Sequence, residues 1–118
     1  MNRESIEKYI AELYGCTADY PWERYPGYAV YRHKENLKWF VVVMDISKRK
    51  LGLDDDTTID VMNVKSDPEV IYTLLSEKGY FPAYHMNKSK WITVMLDTGV
   101  EEKEIKWLID VSYKLTKK

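Results

Sequence analysis

Lys38-Trp39-Phe40-Val41-Val42-Val43-Met44-Asp45-Ile46 is the stretch whose reading decides the fold. It is built from β-branched and aromatic residues and holds neither Gly nor Pro. Its centre is apolar on both faces, which predicts a central strand covered on one side by helices. Residues 28–34 alternate as a second strand, and the turn signal at 35–37 joins the two into a hairpin with basic residues at both ends. On the other side, 47–56 reads as a charged loop. Thr57 to Val64 reads as a third strand, with Ile59 and Val61 on one face and Thr58, Asp60 and Met62 on the other.

Helical periodicity flanks these strands. Ile6, Tyr9, Ile10, Leu13 and Tyr14 make one stripe over 3–14, with Asn2 to cap its start, Gly15 to stop it, and Glu4 and Lys8 spaced for an i,i+4 pair. Ser66-Asp67-Pro68-Glu69 has the pattern of a capping box with Pro at the first helical position. That helix carries Val70, Ile71, Leu74 and Leu75 inward and ends at Gly79. Trp91 to Leu96 alternates as a fourth strand. A last helix over 101–115 turns Ile105, Leu108, Ile109, Ser112 and Leu115 inward, with acidic residues at its start and lysines at its end. The order α-β-β-β-α-β-α predicts an α+β, two-layer domain: an antiparallel sheet with helices packed on one face.

The chain has 118 residues, so 1–118 is expected to be one domain with a modest core. Ten Tyr and four Trp make it rich in side chains that combine an apolar body with a polar tip. Trp22 and Tyr25, in the irregular stretch 16–27, are expected over a core edge. Formal net charge is −1, which predicts no general affinity for nucleic acid, but its distribution is uneven. Arg32, Lys34, Lys38, Lys48, Arg49 and Lys50 against Glu35 and Asp45 give residues 28–50 a balance of +4; Asp54, Asp55, Asp56 and Asp60 give 51–63 a balance of −4. Cys16 is the sole cysteine, so no internal disulfide or cysteine metal cage can form. No apolar run approaches the ~20 residues of a membrane span, and the N-terminus lacks the apolar core of a signal peptide. A cytoplasmic monomer without cofactor is the expectation.

The segment Phe81-Pro82-Ala83-Tyr84-His85-Met86-Asn87-Lys88-Ser89-Lys90-Trp91 packs aromatic, cationic and hydrogen-bonding side chains into one connection, where Pro82 is expected to prevent regular structure. Asn87, Lys88 and Lys90 are suited to phosphate, and Tyr84 or Trp91 to stacking on a base. Arg32, Lys34 and Lys38 could extend that contact along a duplex backbone. The same loop could line a ligand pocket with Tyr84, His85, Asn87, Trp91 and, from the last helix, Tyr113. His85 is the best candidate proton carrier, but the simpler assignment is a loop histidine hydrogen-bonded to backbone. His33 and His85 are too far apart in sequence for a metal-ligand spacing, and no catalytic constellation is visible, so an enzyme is not expected.

Pro82 to Lys88, then Trp91-Ile92-Thr93-Val94, then Leu108-Ile109-Asp110-Val111-Ser112-Tyr113, resemble the C-terminal half of the MmcQ/YjbR family. Lys38-Trp39-Phe40-Val41 and Asn63-Val64-Lys65-Ser66-Asp67-Pro68 extend the resemblance, with Ser66 where many members have cysteine. The family is similar in fold to bacterial frataxin (CyaY-like) and is usually described as DNA-binding through a double wing of hairpin strands. The resemblance therefore implies that α+β sandwich and a weak, salt-dependent contact with double-stranded DNA. The first helix mixes Arg3 and Lys8 with its glutamates, unlike the dense acidic helix of frataxin-type iron binding. The alternative is a non-enzymatic protein-interaction or small-ligand-binding module using the aromatic loop 81–91.

Overall fold

The computed structural model describes residues 1–117. Helix α1 spans Arg3–Tyr14, followed by strands β1 (Ala29–Arg32), β2 (Trp39–Ser47) and β3 (Thr58–Lys65), helix α2 (Pro68–Leu74), strands β4 (Tyr80–Pro82) and β5 (Trp91–Met95), and helix α3 (Glu102–Leu115). A short 3-10 turn, Lys48–Leu51, leaves β2. The strands form one antiparallel sheet in the order β1-β2-β3-β5-β4. The protein is thus α+β, with β2 and β3 central as the apolar run at 38–46 requires.

The fifth strand corrects the sequence reading. Tyr80–Pro82 pairs with β5, Pro82 opposite Ile92, at the sheet's edge. A proline there ends the strand without costing a ladder bond, because an edge residue needs no donor on its outer side.

The helices share one face of the sheet. Ile6 and Ile10 of α1, Ile71 and Leu74 of α2, and Ile105, Leu108 and Ile109 of α3 pack with Tyr31, Val41, Val43, Met62, Val64, Ile92 and Val94. A β-bulge lets Phe40 join Val41 on this face: Tyr31 pairs with Val41 and Arg32 with Trp39, so Phe40 has no partner residue on β1. The unpaired Phe40 carbonyl accepts from the buried Ser112 hydroxyl at 2.6 Å, and that hydroxyl accepts from the Lys65 N–H at 2.8 Å. One serine of α3 thereby bridges β2 and β3 where their own ladder ends. Tyr9 and Tyr14 of α1 both donate to Asp110 of α3, which ties the two helices together.

Several local expectations change. Asn2 does cap α1, in a reciprocal box with Ser5. The capping box at 66–69 does not form: Asp67 is the N-cap without a side-chain bond, and the Ser66 hydroxyl is buried without a partner among the described residues. The helix also stops at Leu74, short of Gly79. Leu13, Leu75 and Leu115 lie at the rims of their stripes and are exposed rather than inward. The ion pair on α1 is Lys8 with Glu12, not Glu4 with Lys8.

Candidate functional site

Among the described residues the second face of the sheet carries no α-helix, yet Val30, Val42, Met44, Ile46, Val61 and Met95 on it are buried. Loops cover them. Trp22 and Tyr28 come from the segment before β1, Leu51 and Leu53 from the turn after β2, and Tyr84 and Met86 from the loop after β4. This explains why β2 is apolar on both faces: one side meets helices, the other an aromatic layer.

The layer does not close completely. A cavity of about 230 Å³ lies between segment 22–28 and loop 84–86, with Val42, Met44 and Asn63 lining it from the strands and Trp22, Tyr25, Tyr28, Trp39, Tyr84, His85 and Met86 completing it. Trp22 meets Trp39 edge-on at 5.5 Å and 85°, and Tyr28 at 6.1 Å and 80°. Tyr25 stacks on Tyr28 at 4.7 Å. The aromatic walls therefore stand largely at right angles to one another.

A closed ring of hydrogen bonds positions the loop side. The Tyr84 N–H donates to Thr93 Oγ1 at 2.9 Å, the Thr93 hydroxyl donates to Asn63 Oδ1, and Asn63 Nδ2 donates back to the Tyr84 carbonyl at 2.9 Å. Asn63 and Thr93 are fully buried, so these bonds form out of competition with water. Lys88 Nζ donates to the Ala83 carbonyl at 2.8 Å and tightens the same loop. His85 follows with a left-handed backbone, φ 59°, a conformation a non-glycine residue adopts only when its surroundings enforce it. Its ring lies against Tyr84 at 4.0 Å, at the exposed mouth. No hydrogen bond of its ring to backbone is seen among the described residues, contrary to the simpler sequence assignment. Burial, with Tyr84, Tyr25 and Asp45 nearby, pushes the Tyr28 phenol up to about 12.

Of the pocket residues expected from sequence, Tyr84 and His85 line this cavity and the others do not. Asn87 shapes its own turn, its side-chain oxygen accepting from the N–H and hydroxyl of Ser89. Trp91 lies in β5, half-buried and outside the lining. Tyr113 is on the helix face, stacked on Tyr14 at 3.8 Å and beside His33, so it cannot meet the loop across the sheet. It lines a separate cavity of about 210 Å³ with Cys16, His33, Lys34, Glu35 and Lys117. Burial raises the Cys16 thiol and lowers the His33 imidazole, so both rest neutral there. Sequence reading missed Tyr28, Trp39, Asn63 and Met86 as site residues, and took Trp22 and Tyr25 only as cover. One usable signal was Asn63, flanked by Val61, Met62 and Val64 in β3, a residue type depleted in strands.

Three of the six basic residues of the hairpin segment are ion-paired. Arg32 pairs with Asp19 at 3.2 Å, Lys48 with Asp55 at 3.6 Å, and Arg49 with Asp54 and Asp56. Lys48 and Arg49 of the +4 segment thus meet the aspartates at 54–56 of the −4 segment, whereas Asp60 pairs with Arg3. Lys34, Lys38, Lys50 and Lys90 are exposed and have no carboxylate partner within 4.0 Å among the described residues.

A sequence model of the YjbR family matches residues 11–115, which include every segment of the cavity. The chain belongs to the YjbR family. YyaQ of Bacillus subtilis (strain 168), an uncharacterised protein, is 44% identical over 117 residues, covering 99% of each chain. A crystal structure of a Pseudomonas syringae protein superposes with a TM-score of 0.96 at 44% identity, covering 98% of this chain and 99% of that one. Its solution NMR structure superposes at 0.87, covering 98% and 93%. The Deinococcus radiodurans protein DR2400, at 21% identity, shares the fold alone, with a TM-score of 0.76 over 99% of this chain and 79% of its own. YjbR membership and the superposed structures support the fold; they do not name an activity.

Proposed function

We propose that this YjbR-family protein is a non-enzymatic binding module that takes a small ligand into the aromatic cavity on the sheet face opposite the α-helices. The observation that carries this reading is the combination of an open apolar cavity of about 230 Å³ with a buried polar floor at Asn63, hydrogen-bonded at both of its amide atoms. Ligand sites are commonly of this kind: concave, mostly apolar, with few fixed polar groups. The ring of bonds through Asn63 and Thr93 fixes the loop before any ligand arrives, which lowers the ordering cost of binding. The protein acts as a monomer in the cytoplasm, where the lone buried thiol of Cys16 stays reduced.

The test is ligand-observed NMR against a small-molecule fragment library, followed by mapping on labelled protein. The reading requires hits that move the indole signals of Trp22 and Trp39 and that disappear in a cavity-filling Val42→Phe variant. A library without such hits would remove it.

A second reading, weak contact with double-stranded DNA, is favoured by the unpaired Lys34, Lys38 and Lys90. Phosphate-driven binding must fall steeply with salt. Fluorescence anisotropy of a labelled duplex at low and near-physiological salt, with Lys34, Lys38 and Lys90 changed to Gln, tests it directly. No binding at low salt would dismiss it.

A further inference from the structure

We propose that the ligand of the aromatic cavity is an organic cation, a methylated ammonium group such as a choline headgroup. This deepens the preceding proposal and rests on it. Three observations point the same way. Trp22, Tyr25, Tyr28, Trp39 and Tyr84 supply five ring systems to one cavity of about 230 Å³. Each ring carries a negative face, and such faces attract a desolvated cation.

The shape is the second observation. Walls at 80–85° to each other form a corner rather than a slot. A flat heteroaromatic ligand needs two parallel faces to be sandwiched, whereas a rounded, methylated ammonium fits a corner and touches several faces at once. The apolar strand residues Val42 and Met44 suit its methyl groups.

Charge is the third. The lining contains neither lysine nor arginine among the described residues. The Trp39 ring already attracts a cation: the Arg32 guanidinium carbon lies 5.5 Å from its centroid, outside the cavity, with its charge met by Asp19. Asp45 adds negative potential beside Tyr28. The floor amide of Asn63 spends one Nδ2 hydrogen on the Tyr84 carbonyl and one Oδ1 lone pair on Thr93, so at most one N–H is left to meet an anion, against five aromatic rings. A ligand bearing a carboxylate next to its ammonium gains nothing from this lining.

The experiment is a titration of the full chain with choline chloride and with its neutral isostere, in which a tert-butyl carbon replaces the nitrogen, read by intrinsic tryptophan fluorescence and checked by NMR. Choline is expected to bind about tenfold or more tightly than the isostere. Tyr25→Leu, at a half-exposed position, is expected to weaken choline several-fold while circular dichroism stays unchanged; Trp22→Phe provides a second variant should the first disturb the segment. A trimethyllysine peptide distinguishes a protein-borne headgroup from a free one: tighter binding than choline assigns it to a protein, and weaker binding to a small molecule or lipid headgroup. Equal affinity for choline and the isostere would overturn the cation while leaving a ligand pocket. Binding of indole but not of choline would do the same. Absence of binding by any of these probes, in a protein whose tryptophan signals respond to no fragment, would overturn both proposals.

Discussion

Asn63→Leu separates the role of the hydrogen-bond ring from that of the sheet beneath it. Asn63 and Leu share branching and heavy-atom count, and position 63 is fully buried but opens on the cavity, so the change deletes two hydrogen bonds while keeping the side chain's outline. It strands the Thr93 hydroxyl hydrogen and the Tyr84 carbonyl, both bonded to Asn63 in the folded protein, while the Thr93 oxygen still accepts from the Tyr84 N–H. A buried unsatisfied group costs about 1–3 kcal/mol, so two cost about 2–6 kcal/mol if the loop stays in place. Burying the added apolar surface offsets about 1–2 kcal/mol of that. The net loss is then at most about 5 kcal/mol and centres near about 2–3 kcal/mol, a large share of the roughly 5–15 kcal/mol that holds a domain together. The loop has a way to escape: Tyr84 can swing outward and let water reach its carbonyl. The stability loss then falls towards about 1 kcal/mol, but the cavity loses one wall. Urea unfolding followed by circular dichroism measures the first quantity, and tryptophan-detected ligand titration the second. A double-mutant cycle with Thr93→Val should give a coupling of about 0.5–3 kcal/mol. A variant with stability within about 0.5 kcal/mol of the parent, unchanged binding and no coupling would refute the claim that this ring holds the site.

Ser112→Ala should cost about 2–4 kcal/mol in urea unfolding, because it strands the Phe40 carbonyl and the Lys65 N–H between strands; a loss below about 1 kcal/mol would show that water or a shifted ladder replaces the bridge. Ser66→Ala should leave stability unchanged or raise it by about 1 kcal/mol, since the hydroxyl it removes is buried and unbonded; a loss beyond about 1 kcal/mol would contradict that. The Tyr9 and Tyr28 phenols are both pushed up to about 12, chiefly by burial. The folded state therefore holds their protons after the unfolded chain has lost them, so stability is intact below about pH 10 and falls as pH rises from there through 12. Tyrosinate absorbance titration alongside stepwise unfolding checks this, and Tyr9→Phe should remove one late-titrating group. An alkaline limb with every tyrosine ionising together near 10 would exclude it.

The amino-acid sequence by itself determined the secondary structure and its layering. The unbroken apolar run at 39–44, rich in β-branched and aromatic residues, period 2 over 57–64, and period 3.6 over 3–14 and 101–115, are local signals, and they set strands against helices without knowledge of the partner. The long ordered words at 82–88, 91–94 and 108–113 carried the family. Local signals failed where neighbours in space compete. The Ser66 box pattern was right in spelling but did not form, and Tyr80–Pro82 became a strand only because β5 offered it an edge. Only the tertiary structure decided the charge and the site. Arg32 meets Asp19, and Lys48 and Arg49 meet Asp55, Asp54 and Asp56, because the chain folds back there. Trp22 and Tyr84 lie 62 residues apart in sequence, yet both line one cavity. Tyr113, which the sequence placed with the loop, is separated from it by the thickness of the sheet. A residue's face follows from local periodicity, but which loops come to cover that face depends on long-range closure, and no single segment encodes it.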